Sequence, residues 1–439
     1  MKLFRTITLI LMVCIFSANE LKAQWETVLT DVIPVGIYVS PDFDKDKTVF
    51  ILDNNRVLLR SADGGTNWTK VLASDNPENP ELIRVSVSPA FSNDSTAFVV
   101  INSGEVKKSV DHGLTWTLMA GLPGHISSIV FAPDAATSKT IYAMTAIDGP
   151  QEIFVSNDMG DTWALQYSLS TNAPGYPDMW ISTEAHSAGA YAIDFEGDLY
   201  VTLDGGIKIN KSLSGFENGL SDVKFSPEFS IDSTMFASDW KNVWINNKSG
   251  DQFSWKGSKI QNDKAPVKLA ISPTFSSDHL LYAATSENVV RRSFDAGQSW
   301  ADFGDAFNMA TSQIAITNSS PHRLFLGLVN SDQSSGKLLI SNEIYGIDNE
   351  SIIESLICYP NPTGESINIT FKTKKAGNVE VTLFDIMGKK QGFFSFGQRN
   401  PGLQKVLVPL EGSLVHTGIY FFRIEAGDDS QMIKFSVIK

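Results

Sequence analysis

The chain has 439 residues, 42% of them apolar, and a formal net charge of −14. That length suffices for two or three domains with ordinary cores, and the acidity argues against a nucleic-acid partner, because a field of that sign repels phosphate backbones. Its two cysteines, Cys14 and Cys358, are too few for a disulfide framework.

At the N-terminus, Lys2 and Arg5 precede an apolar run from Ile7 to Ala18, and a polar stretch closes on Leu21-Lys22-Ala23. This is the pattern of a secretory signal peptide over residues 1–23, cleaved before Gln24. The run of about a dozen residues is short of the roughly 20 that a spanning helix needs, and no later segment replaces it, so no transmembrane segment is expected. Cys14 lies inside the run behind bulky Met12 and Val13, where a lipoprotein signal would have small residues. Its removal leaves Cys358 alone in a compartment that permits disulfides.

Residues 24–350 hold 22 Lys and Arg against 40 Asp and Glu, a net of −18, whereas residues 351–439 hold 10 against 8, a net of +2. The acidity therefore belongs to the middle of the chain. It suits solubility in an exported protein, with calcium or basic surfaces as alternative counter-ions.

Self-comparison of the middle finds one pattern four times, S-x-D-x-G-x-[TSN]-W. Its positions are Ser61, Asp63, Gly65 and Trp68; Ser109, Asp111, Gly113 and Trp116; Ser156, Asp158, Gly160 and Trp163; and Ser293, Asp295, Gly297 and Trp300. Degenerate copies at Thr202-Leu203-Asp204-Gly205-Gly206, at Asn247-Lys248-Ser249-Gly250-Asp251 and at Ser341 keep a beat of 45–48 residues. A second marker runs in step: Ser40-Pro41, Ser88-Pro89, Ala132-Pro133, Ser226-Pro227 and Ser272-Pro273, with weaker versions at Ser182-Thr183 and Thr317-Asn318. Both markers count seven. Each unit reads as four short strands cut by Gly, Pro and Asn, which excludes helical solenoids and predicts an all-β, seven-bladed β-propeller over residues 24–346. Trp25–Leu29 matches the segment that follows a repeat Trp, and the last unit lacks such a strand. The N-terminus is therefore expected to close the ring and remove two open sheet edges.

The eight-residue pattern resembles the Asp box of the BNR repeat, found in the sialidase and sortilin-like propellers. The resemblance implies a structural role on outer turns, away from a catalytic face: Asp accepting backbone N–H bonds, Gly at positive φ, Trp covering the hairpin. A sialidase would also need an Arg-Ile-Pro motif, three convergent arginines and a Tyr/Glu pair. No Arg-Ile-Pro occurs, and Arg56, Arg60, Arg84, Arg291, Arg292 and Arg323 suggest no triad. No catalytic set, cofactor or metal site is recognised; Asp42, Asp44 and Asp46 read as a solvated turn without the glycine of a calcium loop, and the histidines lack metal-site spacing. The fourth unit is the most irregular, with Tyr176, Asp178, Trp180, Glu184 and His186 close together. Such irregularity marks either a ligand site or drift.

After a hinge at 347–358 the repeat stops. Pro360-Asn361-Pro362, a β-rich run through Asp385-Ile386-Met387-Gly388-Lys389, Gly418-Ile419-Tyr420 and a terminal strand ending at Lys439 predict a small immunoglobulin-like β-sandwich over 359–439. Pro360, Asn361, Pro362, Asp385, Gly388, Lys389, Gly418 and Tyr420 fall in the order that resembles the type A sorting domain of type IX (Por) secretion in Bacteroidetes. That implies Sec export to the periplasm, passage across the outer membrane by the type IX machinery, and a secreted or surface-displayed product. The propeller is then expected to bind an extracellular protein or glycan, with a divergent glycoside hydrolase as the alternative.

Overall fold

The computed structural model describes residues 25–341 and 353–439, apart from residue 56 and 74–81, 102–103, 146–150, 170–177, 183–189, 196–197, 215–219, 261–266, 286, 320, 374–375, 386–389, 411–414 and 427–428. The signal-peptide segment 1–23 lies outside the described residues, as do Tyr176, Glu184, His186, Gly388 and Lys389.

The described residues between 25 and 341 form seven four-stranded sheets. The first comprises Pro34–Val39, Val49–Asp53, Val57–Ser61 and Thr69–Ala73 in that order. The second to seventh begin with Leu82–Val87, Ile126–Phe131, Met179–Ile181, Asp222–Phe225, Lys268–Ile271 and Ala310–Ile316. Each of these innermost strands touches the next, and that of the seventh sheet touches that of the first. The sheets thus circle one axis as a β-propeller. The seventh sheet takes its outermost strand from the N-terminus: Trp25–Thr30 pairs antiparallel with Gly336–Ser341.

Packing explains the composition of the strands. The second strand of a blade has a neighbouring sheet on both faces, so it is buried throughout and mostly apolar, as in Val49–Asp53, Ala97–Ile101 and Ile141–Thr145. Between the seventh and first sheets, Phe325, Leu338 and Ile340 meet Phe43, Val49 and Ile51. Each fully buried side chain of this size contributes about 1.5–3 kcal/mol.

The Ser-Pro markers form one-turn helices. Ser40 Oγ donates to Asp46 Oδ2 (2.6 Å), and Asp46 Oδ1 accepts the Thr48 N–H (2.7 Å), which winds Phe43–Asp46 into a helical turn. The Ser88–Asp94, Ser226–Asp232 and Ser272–Asp278 pairs repeat the arrangement.

The C-terminal part is a sandwich of two sheets. One contains Ile353–Tyr359, Ser366–Thr373 and Gly402–Pro409; the other contains Lys390–Arg399, Gly377–Asp385, Gly418–Ala426 and Asp429–Val437. Ile353–Tyr359, assigned from sequence mostly to the hinge, is thus a strand of the smaller sheet. Alternating residues of both sheets, among them Ile369, Phe371, Val381 and Ile424, form the core, where Phe422 and Phe435 stack at 4.3 Å. Among the described residues no helix is long and apolar enough to cross a membrane.

Candidate functional site

The innermost strands line a channel along the propeller axis, and their register sets what it presents. Counting back four residues from each Ser-Pro marker or its equivalent gives Gly36, Arg84, Ser128, Asp178, Asp222, Lys268 and Gln313. Four of these seven positions are charged. Arg84 forms a bidentate ion pair with Asp178 and donates to the Met179 carbonyl (3.3 Å), joining the second sheet to the fourth past the third. Asp222 Oδ1 accepts from Lys224 Nζ (3.0 Å), and its Oδ2 accepts the Leu269 N–H of the next sheet (3.0 Å). Lys268 Nζ donates to the Ser221 carbonyl.

Two residues along each strand, Tyr38, Ser86, Val130, Trp180 and Lys224 line a cavity of about 280 Å³ that Arg84 also borders. Gly36 makes room for one of them: a Cβ there would stand 2.6 Å from the Tyr38 ring. Burial raises the Tyr38 hydroxyl above its ordinary range, opposed by the Arg84 charge. Burial also pushes the Lys268 ammonium down, opposed first by Asp222. Arg84 is raised: although burial works against its charge, Asp178 and then Tyr38 outweigh it. Towards the Ser-Pro turns the channel opens into a vestibule of about 630 Å³ bordered by Pro41, Pro89, Pro133, Pro227 and Pro273. The channel therefore has a proline-rich rim at one end, which Asp42 and Asn318 also border, and a charged layer deeper along the strands.

The irregular fourth-unit cluster enters this site in part. Asp178 and Trp180 are there, whereas Tyr176, Glu184 and His186 lie outside the described residues. Sequence reasoning missed Arg84, Asp222, Lys224 and Lys268 as a group. Aligning the units on the Ser-Pro marker would have found them, since three of the four share one column with Asp178.

The four repeated boxes lie on the turns between the third and fourth strands. In the second, Ser109 Oγ donates to Asp111 Oδ1 (2.7 Å) and accepts the buried Gly113 N–H (2.9 Å), while Thr115 donates its N–H (2.9 Å) and hydroxyl (2.6 Å) to Asp111. Ser61–Asp63, Ser156–Asp158 and Ser293–Asp295 repeat the serine-to-aspartate bond, and Gly65, Gly160 and Gly297 repeat the glycine bond. Trp68 and Trp300 donate to the Gly65 and Gly297 carbonyls, and Trp116 and Trp163 pack against the blade cores. The Asn67 N–H holds the Asp63 carboxyl at about 2, and the Thr162 hydroxyl does the same for Asp158. In the degenerate fifth unit the serine's place is taken by Asn246, one residue before the position read from sequence, because its Oδ1 accepts the Gly250 N–H (2.9 Å). Each box turn also donates a backbone N–H to the residue that ends the one-turn helix of its own blade, as in Gly64 to Lys47 and His112 to Ser95. Boxes and proline rim therefore share one face of the propeller.

In the sandwich, Asn361 Oδ1 accepts the Ser436 N–H (2.9 Å), tying the exposed Pro360-Asn361-Pro362 turn to the terminal strand. Gly418 stands opposite Val437, the Tyr420 hydroxyl accepts the His416 N–H (3.0 Å), and Asp385 accepts from Gln391 (2.6 Å).

The family model described as photosynthesis system II assembly factor YCF48 matches residues 17–328. The chain belongs to that family. A secretion system C-terminal sorting domain model matches residues 357–439, so this YCF48-family propeller carries a type IX sorting tail. The arrangement fits a surface module exported by type IX secretion. YCF48 from Cyanidioschyzon merolae is similar with a TM-score of 0.52 and 15% identity, over 72% of this chain and 98% of that one. A YCF48 structure described as bound to D1 peptide gives 0.52 and 15%, over 74% and 96%. PorZ, described as a surface component of the type IX secretion system of Porphyromonas gingivalis, gives 0.50 and 14%; this chain is covered to 89% and PorZ to 58%. At such identities the likeness is one of fold. No curated protein sequence matches the chain.

Among these features, the channel of the YCF48-family domain is where side chains from different blades converge. The carboxylates of its charged layer, Asp178 and Asp222, are held by cations and backbone N–H groups, an arrangement suited to recognition by charge and shape.

Proposed function

We propose that this protein is a secreted or outer-membrane-surface binding module, of adhesion type, whose propeller takes an extracellular protein or glycan ligand at its axial channel. In this reading residues 1–23 direct Sec export, 24–346 are the binding domain, and the tail delivers the protein from the periplasm to the surface through the type IX machinery. The observation that carries the reading is the convergence of Arg84, Asp178, Asp222 and Lys268, from four different sheets, on one layer of the channel. Neighbouring blades need apolar contacts to pack, not charges facing their common axis, so a charged layer there is better explained by a ligand than by folding. A YCF48 structure described as bound to D1 peptide supports a peptide as one ligand class.

The test is a glycan array and a peptide array probed with the purified protein, with hydrolysis assayed in parallel. Binding should fall roughly tenfold or more in Trp180→Ala, which removes a channel wall, and persist in Ser109→Ala, which alters a peripheral turn. Equal binding by wild type and Trp180→Ala, or release of glycan fragments, would overturn the reading.

A further inference from the structure

The charged layer itself carries two cations and two carboxylates, and Lys224 from the next row adds a third cation that Asp222 also serves. Arg84 is matched by Asp178, and Lys224 by Asp222. Among the described residues Lys268 hydrogen-bonds the neutral Ser221 carbonyl and feels Asp222 and Asp178 only through space, so three cations share two carboxylates in a domain whose overall charge is strongly negative. Asp222 cannot swing to Lys268 without losing the Val223 and Leu269 N–H groups that both of its oxygens accept. Asp178 is held in the same way by Arg84 and the Met179 N–H. A half-buried ammonium that hydrogen-bonds a neutral carbonyl while the nearby carboxylates serve other donors is costly to keep charged, and an anion supplied from outside would offset that cost. The wall beside this layer is of a different kind: Tyr38, Trp180 and Phe225 border the 280 Å³ cavity together with Val and Ile side chains.

We infer that the channel binds a carboxylate carried on a flat apolar group, the carboxylate meeting the Lys268 ammonium and the apolar body lying against Tyr38 and Trp180. This rests on the channel reading above and names its ligand chemistry. Arg84 and Lys224 strengthen the field without giving up their partners, and Asp178 and Asp222 hold them in place, so the site selects one negative charge and disfavours a second.

The test uses the full-length protein and three small probes: 3-phenylpropionate, its neutral amide, and glucuronate, with affinities read by calorimetry or ligand-observed NMR. The phenylpropionate should bind roughly tenfold or more tighter than the amide, as a charge-assisted contact in a low-dielectric channel requires, and more tightly than glucuronate. Lys268→Met should abolish the preference for acid over amide, and Lys268→Arg should retain it. Should Lys268→Met fail to fold, Lys268→Gln at wild-type melting temperature serves the same comparison. Equal affinity for acid and amide, a preference that survives loss of the ammonium, or tighter binding of glucuronate would each overturn the inference. If array binding falls in Trp180→Ala but acid and amide bind alike, the anion assignment alone is lost; if array binding ignores Trp180, the channel reading falls with it.

Discussion

Trp25 stands directly opposite Ser341 in antiparallel register, so the first described strand of the chain is the outermost strand of the last propeller sheet. The Trp25 ring packs edge-on against Phe303 and Phe307, which carry it into the core between the sixth and seventh sheets. Removing residues 25–30 would strip a paired strand and its apolar side chains together, leaving Gly336–Ser341 as an open edge. The shortened protein should melt well below the full chain and elute partly as aggregate. A melting curve and elution profile unchanged from wild type would contradict ring closure by this strand.

Gly113 has φ +78, and a Cβ there would lie 2.5 Å from the Phe50 ring of the preceding blade. Gly113→Ala should therefore destabilise by about 2 kcal/mol or more, combining left-handed backbone strain with overpacking. Ser109→Ala leaves the buried Gly113 N–H without its acceptor and should lower stability by about 1–3 kcal/mol. Denaturant titration measures both. If either change abolished ligand binding at unchanged stability, the boxes would have a role beyond folding.

Asp63, Asp111 and Asp158 each sit at about 2, below the ordinary 3.8. Asn67 is the main cause for Asp63, Thr162 for Asp158, and in Asp111 burial pulls upward but the bonds from Thr115 and Ser109 prevail. Because the folded values lie below the unfolded one, their stabilisation is full above about pH 4 and is lost as pH falls towards 2. The melting temperature of wild type should drop across that window, and Asp63→Asn should drop less. Parallel curves for the two proteins would show that Asp63 does not titrate with unfolding.

Arg84 and Asp178 should behave as a coupled pair. Arg84→Met leaves a half-buried carboxylate without its counter-ion and should cost about 3 kcal/mol, while Arg84→Met with Asp178→Leu should recover much of that loss. A double-mutant cycle by denaturant unfolding reads the coupling. Additive single effects would mean that the tie across the third sheet contributes nothing.

A chain ending at Ser341 should fold with the melting temperature of the propeller in the full protein, since its ring is closed without the sandwich. In the native host it should accumulate in the periplasm. Conversely, residues 353–439 behind a signal peptide and an unrelated folded domain should bring that domain to the surface. Surface delivery of the truncated chain would remove the sorting role from the tail.

The propeller was legible in the sequence because each blade is stabilised by short-range devices that must recur wherever a blade recurs. The serine, aspartate and glycine of the boxes bond within five residues of one another, and the Ser-Pro helices close within eight. Spacing alone therefore exposed them. The strand from the N-terminus was also visible, since Trp25–Leu29 resembles the segment that each box is followed by. The one-turn helices were not, because the bond from Ser40 to Asp46 depends on backbone geometry that a Ser-Pro pair does not announce.

The channel is a different case. Arg84, Asp178, Asp222 and Lys268 lie up to 184 residues apart, and each looks like an isolated charge in a β-rich segment. Closing the ring stacks one column of the repeat into a layer, and only there do the charges meet and pair. Local hydrogen bonding wrote the blades into the sequence; the balance of charge at the axis exists only once distant strands share a low-dielectric wall.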